Sequence, residues 1–415
     1  MKVISENQIA EYLSLIQNKG LLDQDDSSLI VFDLGVMRDR VSRIESSFGE
    51  NAFHAIAVKS NPLRFALKEL AGLGVGLEAA SIGEVLMASQ AGLPPERIVF
   101  DSPAKTRQEL QYLQDSFPGI RVNCDSLAEL NRIPKGTTSL AIGLRVNPIV
   151  SGKTHESMNV GSARSKFGES ISNRSGIIDH CCQWDALDCL HFHIGSQHQD
   201  FSPVVEACNK ILDLADEINA KVKGKIERID IGGGFPVNYD GVPFLIEDYA
   251  ERLKRECPRL FSGQYQIITE FGRYVHANAA FVASRIEYVK QNPIGKTVVI
   301  HVGADMFLRE CYNPGSWFHK ISTLNSDFVI KEGATTKTDI AGPLCFGGDF
   351  IQRGAELPNV SSDDWVVIQD VGANSFSLWS RHCSRPFPKV VSIDSGTAIV
   401  EKSRESLESV VSFWN

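Results

Sequence analysis

Short apolar runs alternate with longer stretches between residues 30 and 275, and in the longer stretches apolar side chains recur every three or four positions. The short runs are typical of buried β-strands and the longer stretches of amphipathic α-helices. Strands are predicted for eight runs: HAIAV, GVGLEA, RIVF, IRVN, SLAIGLRV, CLHFHI, ERIDI and QIITE. Helices are predicted between them for RFALKELAGL, IGEVLMASQAGL, RQELQYLQDS and VVEACNKILDLADEI.

This alternation of strands and helices indicates an α/β fold with a parallel sheet. Eight units over about 245 residues fit a (β/α)8 TIM barrel, whose usual length is about 250 residues. A doubly wound open sheet is the alternative. The run SLIVFDL, near residue 30, is expected to form a strand that leads into the barrel.

The pattern changes after residue 280, where β-strands joined by Gly, Pro, Asn and Asp turns are predicted with little helix. These strands are FVASRIEYVKQ, KTVVIHVGAD, TTKTDIAGPLC, DWVVIQDVG and PKVVSIDSGTAIVEK. We therefore expect a barrel domain at 34–276 and a β-rich second domain formed by 1–33 and 277–415.

Composition narrows the possible partners. The chain of 415 residues is 43% hydrophobic and carries a net charge of -9 without a cluster of Lys and Arg, which argues against nucleic acid. No apolar run approaches the roughly 20 residues that span a bilayer, and we expect neither a membrane segment nor a signal peptide. Nine cysteines without paired CxxC spacing indicate reduced thiols in a cytoplasmic protein. Cys181, Cys182, Cys189 and His191 lack the second pair of a typical metal site, so no metal is expected.

Candidate chemistry lies at the C-terminal ends of the predicted barrel strands, where TIM barrels hold their active sites. The residues at these ends are Lys59, Glu78, Asn123, Arg145, His193, Ser196, Gly232, Gly233, Gly234, Glu270 and Arg273. Each of them alone has an ordinary structural interpretation, such as a solvated lysine, a core histidine, a turn or an ion pair. Those interpretations do not explain why all of them fall on successive strand ends.

Together these residues suit one cofactor. A three-glycine turn presents N–H groups without Cβ atoms, which favours a phosphate, and Arg273 and Ser196 can add bonds to it. Lys59 can form a Schiff base with an aldehyde. A phosphate, an aldehyde and a lysine indicate pyridoxal 5'-phosphate, whose ring nitrogen needs a carboxylate partner. Glu270 is the candidate for that partner, and His193 can lie against the ring face.

The chain resembles the fold-type III pyridoxal-phosphate decarboxylases, which include the diaminopimelate, ornithine and arginine decarboxylases. The segments that carry the resemblance are AVKSN, EAASIGEV, DSPAKT, LRVNP, SKFG, HFHIGSQ, GGGFPVNY, EFGRY, GPLCFGGDF and VGANSFSLWSRHCSRPFP. HIGSQ and SRPFP are most similar to the diaminopimelate branch. The resemblance implies an alanine-racemase-like barrel plus a β-rich domain, and a homodimer with shared active sites.

The resemblance also implies roles for individual residues. Lys59 would bond to the cofactor aldehyde, His193 would stack on the ring and Glu270 would pair with its nitrogen. Ser196, Gly233, Gly234 and Arg273 would hold the phosphate. Cys345 of the partner subunit would return a proton to the substrate after carbon dioxide has left.

Three positions depart from the family pattern. Phe271 stands beside Arg273 in place of a proline, and Asn374 stands where a tyrosine normally contacts the cofactor. Phe346 follows Cys345 where the relatives carry Asp or Glu, which pairs with the distal ammonium of the substrate. Losing such a bond costs roughly 1.5–3 kcal/mol.

The sequence therefore favours a small amino-acid substrate that bears a carboxylate but no free distal ammonium, such as a siderophore intermediate. Arg309 and Tyr312 lie near the expected distal-carboxylate contacts. An ordinary meso-diaminopimelate decarboxylase, which makes L-lysine, is the alternative. A pyridoxal-phosphate amino-acid racemase and a regulatory relative without catalysis are further alternatives, against which the cysteine motif and the retained Lys59 argue.

Overall fold

The computed structural model describes residues 1–150, 159–237, 239, 244–315 and 317–415. They divide into two compact units. One comprises the described residues of 41–237 and 243–274, and the other comprises Met1–Arg40 with Val275–Asn415. The limits of 34 and 276 that the sequence suggests for the barrel domain stay a prediction.

The strands are numbered along the described part of the chain. They are β1 (Ser28–Asp33), β2 (Ala52–Ala57), β3 (Gly76–Ala79), β4 (Ile98–Asp101), β5 (Arg121–Cys124), β6 (Ala141–Asn147), β7 (Glu169–Ser170), β8 (Leu187–His191), β9 (Arg228–Asp230), β10 (Gln266–Thr269), β11 (Ala280–Asn292), β12 (Gly295–Ile300), β13 (Ile321–Leu324), β14 (Thr336–Ala341), β15 (Phe350–Leu357), β16 (Trp365–Gln369), β17 (Lys389–Asp394) and β18 (Thr397–Lys402).

The α-helices of the described residues are α1 (Glu6–Asn18), α2 (Leu34–Phe48), α3 (Arg64–Gly72), α4 (Ile82–Gln90), α5 (Arg107–Ser116), α6 (Leu127–Leu130), α7 (Arg174–Cys181), α8 (Ser202–Lys221), α9 (Ile246–Glu256), α10 (Gly272–His276), α11 (Leu308–Tyr312) and α12 (Leu407–Ser412). The four helices predicted from the sequence are α3, α4, α5 and α8. Polar caps fix where several of them begin; for example, Thr106 and Glu109 form a capping box at the start of α5. No described helix has the length and apolar character that crossing a membrane requires.

The eight predicted barrel strands are confirmed as β2–β6 and β8–β10. Each pairs in parallel with its neighbour, and β10 pairs with β2, which closes the sheet. This closure excludes the doubly wound open sheet. The short strand β7 pairs with β6 outside the ring.

The second unit contains a mixed sheet in the order β15-β14-β12-β11-β1-β17-β18, with β16 between β11 and β13. Strand β1 is therefore not a strand that leads into the barrel, as its position in the sequence suggests. It runs antiparallel to β11 and parallel to β17, and α2 follows it. Its partners lie hundreds of residues away, so the local pattern does not reveal them.

Two strands of this sheet, β13 and β15, were not predicted. Strand β13 has only four residues, which is short for a sequence pattern. Strand β15 contains Gly354 and three exposed positions, and its pairing with β14 is interrupted by irregular register. Such an edge strand lacks the apolar alternation that marks a half-buried strand.

An aromatic cluster packs in the barrel unit around Phe271, which directly follows the candidate carboxylate Glu270. Its ring centroid lies 5.7 Å from that of Phe48, 5.9 Å from Tyr249 and 6.3 Å from Phe235. Phe271 is only 1% exposed. The residue that replaces the expected proline therefore belongs to the hydrophobic core.

A buried ion pair provides a test of barrel stability. The Nζ of Lys105 lies 2.8 Å from a carboxylate oxygen of Glu129 and donates to the carbonyl oxygens of Ser102 and Asn123. Lys105→Met keeps most of the volume but leaves a buried carboxylate without its cation, so we expect a loss of about 3 kcal/mol in the free energy of unfolding. Urea denaturation measures this loss.

The matched control is Lys135→Met, because Lys135 is an exposed lysine bonded to Gln183 in the same unit. This control should change the free energy of unfolding by less than about 0.5 kcal/mol. Equal effects of the two substitutions would show that the buried pair adds nothing to stability.

Candidate active site

Lys59 lies in a short 3-10 turn, Val58–Ser60, directly after β2. Its Nζ is 2.5 Å from Oε2 of Glu78, whose side chain is fully buried, while half of the lysine side chain is exposed. Removal from water lowers the pKa of Lys59, but the carboxylates of Glu78 and Glu270 outweigh this effect and raise it above its ordinary value. The amine is therefore a cation that faces an accessible space at the rim of the barrel.

The sheet register places three ionisable side chains on neighbouring strands of the same rim. Arg145 of β6 is paired with His191 of β8, and His191 is paired with Asp230 of β9. Asp101, the last residue of β4, joins this group because its Oδ2 accepts from Nη1 of Arg145 at 2.8 Å. All four side chains are buried.

His191 lies between two of these carboxylates. Its Nε2 is 3.4 Å from Oδ2 of Asp101, and its Nδ1 is 3.2 Å from Oδ2 of Asp230. Burial lowers the pKa of His191, but Asp230 and Asp101 outweigh it and raise that pKa well above its ordinary value. The ring is therefore an imidazolium at neutral pH.

His193, two residues later, has the opposite protonation state. Its Nδ1 accepts the N–H of Gly233 at 3.1 Å, so its own proton is on Nε2. Burial and the cations Arg145 and Lys59 lower the pKa of His193 well below its ordinary value. A neutral imidazole at this position suits a ring that stacks on another aromatic ring.

The glycine turn after β9 is tightly constrained. Gly234 has φ +93°, and a Cβ there would overlap the carbonyl oxygen of Gly195. A Cβ on Gly233 would lie 2.6 Å from the carbonyl oxygen of Glu270. The N–H of Gly232 donates to the carboxylate of Asp230, and the N–H of Gly233 donates to Nδ1 of His193. The N–H of Gly233 therefore already has a partner in the absence of a phosphate.

Two further predicted phosphate ligands flank this turn in sequence. Ser196 is half-buried in the loop after β8, and Arg273 is half-buried in α10, which follows β10. Residue 238 of the GGGFPVNY segment lies outside the described residues. The structure thus brings the predicted barrel residues to one rim, while their contacts with a phosphate stay a prediction.

Glu270 is a buried carboxylate with one oxygen that has no hydrogen-bond partner among the described residues. It is 6% exposed, and the oxygen without a partner is Oε1. Burial and Asp230 raise the pKa of Glu270 well above its ordinary value, although His191 opposes them. The other three carboxylates named at the rim, of Glu78, Asp101 and Asp230, each lie within 4 Å of a nitrogen of Lys59, Arg145 or His191.

One oxygen or nitrogen each of Asp101, His191 and Glu270 lies within 4.8 Å of the others, a spacing that a metal ion can bridge. The imidazolium and the guanidinium of Arg145 already supply positive charge there, so we assign no metal to the group. The cysteines that the sequence placed near His191 are not members of it. A ligand with a protonated nitrogen beside Glu270 could donate to the unpaired oxygen of that carboxylate.

Sequence reasoning missed Asp101, His191 and Asp230 as members of the site. Each is the last residue of its strand, so the rule that selected Lys59 and Glu270 also points to them. His193 and Gly232, which the sequence suggested instead, each lie two residues after one of these strand ends. Asn123, which was selected, donates from Nδ2 to Asp230 at 3.0 Å and therefore supports the group.

The remaining predicted residues lie in the β-rich unit. Phe346 stacks on Tyr312 with ring centroids 4.6 Å apart and planes 14° apart, and the Arg309 guanidinium lies 5.1 Å from the Trp317 ring centroid. Cys345 is exposed. Asn374 is half-buried and has φ +57°, a left-handed conformation that asparagine adopts more readily than tyrosine.

The family model for the pyridoxal-binding domain of pyridoxal-dependent decarboxylases matches residues 34–277. The chain therefore belongs to the pyridoxal-dependent decarboxylase family. It is 30% identical to diaminopimelate decarboxylase of Zymomonas mobilis over 86% of this chain and 84% of the relative. It is 29% identical to the Aquifex aeolicus enzyme of the same name, over 96% and 94% of the two chains.

Solved structures of decarboxylases in this family have the same fold. Diaminopimelate decarboxylase from Helicobacter pylori, complexed with L-lysine, superposes with a TM-score of 0.84 at 26% identity and covers 96% of this chain and 99% of its own. Diaminopimelate decarboxylase from m. jannaschi superposes with a TM-score of 0.82 at 25% identity, over 96% of this chain and 93% of its own. The agreement extends over both units of this decarboxylase.

The barrel of this decarboxylase fits its cofactor, pyridoxal phosphate. The unpaired oxygen of Glu270 matches a protonated ring nitrogen, which would donate to it. The accessible amine of Lys59 matches an aldehyde, and the glycine turn leaves no space for a Cβ. These observations are independent of the sequence motifs.

The close approach at Gly234 gives a prediction for cofactor binding. Gly234→Ala would force the turn to move, because its Cβ overlaps a backbone atom and its φ is unfavourable for alanine. We expect the apoprotein to bind pyridoxal phosphate about tenfold to a hundredfold more weakly, as measured by fluorescence titration. Gly224→Ala is the control, because Gly224 has φ +69° but open space around it. Similar losses in both variants would contradict a role for the turn.

Proposed function

We propose that this chain removes the α-carboxylate from an amino acid that carries a second, remote carboxylate. The observation that carries the proposal is the barrel rim, where an accessible lysine lies near a buried carboxylate that has one unpaired oxygen. Pyridoxal phosphate, when bound, accepts the electron pair that remains when carbon dioxide leaves.

We assign the cofactor contacts to residues of the barrel. Lys59 would bond to the aldehyde, and the neutral ring of His193 would stack on the cofactor. Glu270 would hold the proton of the ring nitrogen. Ser196, Gly233, Gly234 and Arg273 would hold the phosphate.

Lys59 must lose its proton before it can attack an aldehyde, and the carboxylate of Glu78 is close enough to accept that proton. The two groups are 2.5 Å apart, and burial raises the pKa of Glu78 above its ordinary value although Lys59 opposes this. A carboxylate that is easily protonated can take the proton from the amine and return it. Glu78 would return this proton to the amine of Lys59 when the amine is free again.

A proton must return to the substrate carbon after carbon dioxide has left. We assign this step to the thiol of Cys345, supplied by a second copy of the chain in a homodimer. The exposure of Cys345 in the single chain supports this assignment, because a thiol that serves a partner must lie at the surface.

The first candidate substrate is meso-diaminopimelate, which would give L-lysine. It is supported by the names of the relatives that align over nearly the whole chain, and by the L-lysine in the Helicobacter pylori structure. Diaminopimelate has the remote carboxylate that the proposal requires, and it also has a distal ammonium.

A second candidate is a carboxylated amino acid without a free distal ammonium, such as a conjugated siderophore intermediate. Phe346 favours this candidate, because its ring stacks on Tyr312 where the relatives carry an acidic residue. An aromatic pair can cover an apolar or uncharged group but cannot accept a charge-assisted hydrogen bond.

The deciding experiment is a substrate panel monitored for carbon dioxide with the purified holoenzyme. It contains meso-diaminopimelate, diaminopimelate acylated on the distal amine, ornithine and lysine. Efficient release from meso-diaminopimelate alone selects the first candidate, and preference for the acylated compound selects the second. Exchange of the Cα hydrogen in deuterium oxide with the carboxylate retained would identify a racemase and overturn the proposal.

Phe346→Glu should raise kcat/KM for meso-diaminopimelate about tenfold to a hundredfold relative to Phe346→Gln. The two side chains have the same size, so the comparison isolates the charge that would pair with the distal ammonium. A charge-assisted bond of roughly 1.5–3 kcal/mol sets the size of the effect. Steady-state kinetics on both variants and the wild type measure it.

The same two variants also test the assignment of Phe346 to the substrate site. If Phe346 faces the distal end of the substrate, the gain should be absent for the acylated substrate, which has no ammonium. Equal kcat/KM values of the Glu and Gln variants for meso-diaminopimelate would remove Phe346 from the specificity site.

A further inference from the structure

His191 is a buried cation to which the cofactor contacts above give no role. Its side chain is completely buried at the end of β8, with Asp101 on one side and Asp230 on the other. Rotation of this histidine would take a positive charge away from two buried carboxylates, which costs free energy.

The two aspartates are themselves fixed. Oδ2 of Asp101 accepts from Arg145 at 2.8 Å. Asp230 accepts from the Nδ2 of Asn123 at 3.0 Å and from the N–H of Gly232 at 2.9 Å. The imidazolium is therefore held by an assembly that extends from β4 to the glycine turn.

This assembly continues to Glu270. A ring nitrogen of His191 and a carboxylate oxygen of Glu270 lie within 4.8 Å of each other, and Oε1 of Glu270 has no partner among the described residues. The N–H of Glu270 donates to the carbonyl oxygen of Gly232 at 2.8 Å, which ties the two loops together. Three other carboxylates of the rim act against ionisation of Glu270, and His191 acts in its favour.

The position of a shared proton follows from this arrangement. When a carboxylate and a ring nitrogen share a proton, the charge-separated form has its negative end on the carboxylate. A fixed cation beside the carboxylate stabilises that form more than the neutral one, because the interaction is strong in a buried site.

We propose that His191 is a positioning residue that acts through Glu270 to keep the proton on the ring nitrogen of the bound cofactor. The proposal rests on the assignment of Glu270 to the ring nitrogen. The alternative is that His191 only stabilises the barrel through its two ion pairs. Both descriptions predict a less stable variant, so stability does not distinguish them.

The test is the nitrogen NMR signal of pyridoxal phosphate labelled at its ring nitrogen and bound to the holoenzyme. We expect the wild type to show a protonated ring nitrogen. In His191→Asn the signal should shift toward that of the unprotonated cofactor, which a reference sample at alkaline pH provides. An unchanged signal in a folded His191→Asn holoenzyme would overturn the proposal.

His54→Asn is the matched control. His54 is also buried in the barrel, on β2, but its Nδ1 faces the hydroxyl of Thr269 and burial lowers its pKa to about 4. This variant also loses a buried imidazole ring, but one that carries no positive charge, so its cofactor signal should equal that of the wild type. A shift as large as that of His191→Asn would show that any lost ring disturbs the site, and would overturn the specific role.

Two further outcomes come from the wild type alone. An unprotonated ring nitrogen in the wild-type holoenzyme would remove Glu270 from its assigned contact, which is a failure of the proposed function and not only of His191. If His191→Asn does not fold, a pH titration of the wild-type holoenzyme, labelled at the histidine and cofactor ring nitrogens, decides. Loss of the proton from His191 and from the cofactor nitrogen over the same pH range supports the proposal, and loss of the His191 proton without a change at the cofactor nitrogen overturns it.

Discussion

Replacing Lys59 by alanine should lower kcat for carbon dioxide release by about 10³-fold or more, because the amine that bonds the cofactor aldehyde is lost. This variant also leaves the buried carboxylate of Glu78 without its cation, so we expect it to be folded but less stable than the wild type. Carbon dioxide release and circular dichroism measure the two effects.

Borohydride reduction gives a second measurement on the same variant. The wild-type holoenzyme should carry the reduced cofactor on the peptide that contains Lys59, and the alanine variant should carry none. Lys68→Ala is the control, because Lys68 lies on the next helix, α3, outside the proposed site. Full activity in Lys59→Ala, or cofactor on a different lysine, would refute the assignment.

Glu270→Gln should reduce kcat by about 10³-fold while cofactor binding persists. An amide cannot take the charge that stabilises a protonated ring nitrogen, and charge stabilisation at a buried site is a large catalytic effect, on the order of 10²–10³-fold per group. The side chain keeps its size, so the buried position of Glu270 stays filled. Single-turnover carbon dioxide release measures the chemical step.

The control for this change is Glu251→Gln, on the exposed surface of α9. It should leave kcat unchanged. Burial and the neighbouring carboxylate of Asp230 raise the pKa of Glu270, so a negative charge is unfavourable at this position. Replacing Glu270 by the neutral glutamine should therefore leave the apoprotein no less stable than the wild type. A variant with normal kcat would place the ring nitrogen elsewhere.

The barrel could be predicted from the sequence because each of its strands is marked by a local run of apolar residues. Each of the eight apolar runs forms its strand between helices that are adjacent in the chain, and parallel pairing of neighbours follows. The partners of β1 could not be predicted from the sequence, because β11 and β17 lie far from β1 along the chain. No local pattern specifies such long-range pairing.

The candidate site could likewise be predicted from the sequence only in part. Lys59, His193 and Glu270 follow from their positions at strand ends and from cofactor chemistry. The partnership of Asp101, His191 and Asp230 depends on sheet register, which decides which strand ends face one another. The stacking of Phe346 on Tyr312 depends on how two separate loops of the β-rich unit fold.

Phe271 has a consequence for how this enzyme responds to heat. A proline after Glu270 would restrict the backbone of Glu270 sterically, at any temperature. Here Phe271 packs against Phe48 and Tyr249 instead, and such packing should weaken as the helices that carry those residues loosen. We therefore expect the temperature range over which Glu270 stays aligned to depend on this aromatic cluster, and adaptation to a warmer or colder habitat could proceed there without altering the residues proposed to touch the cofactor.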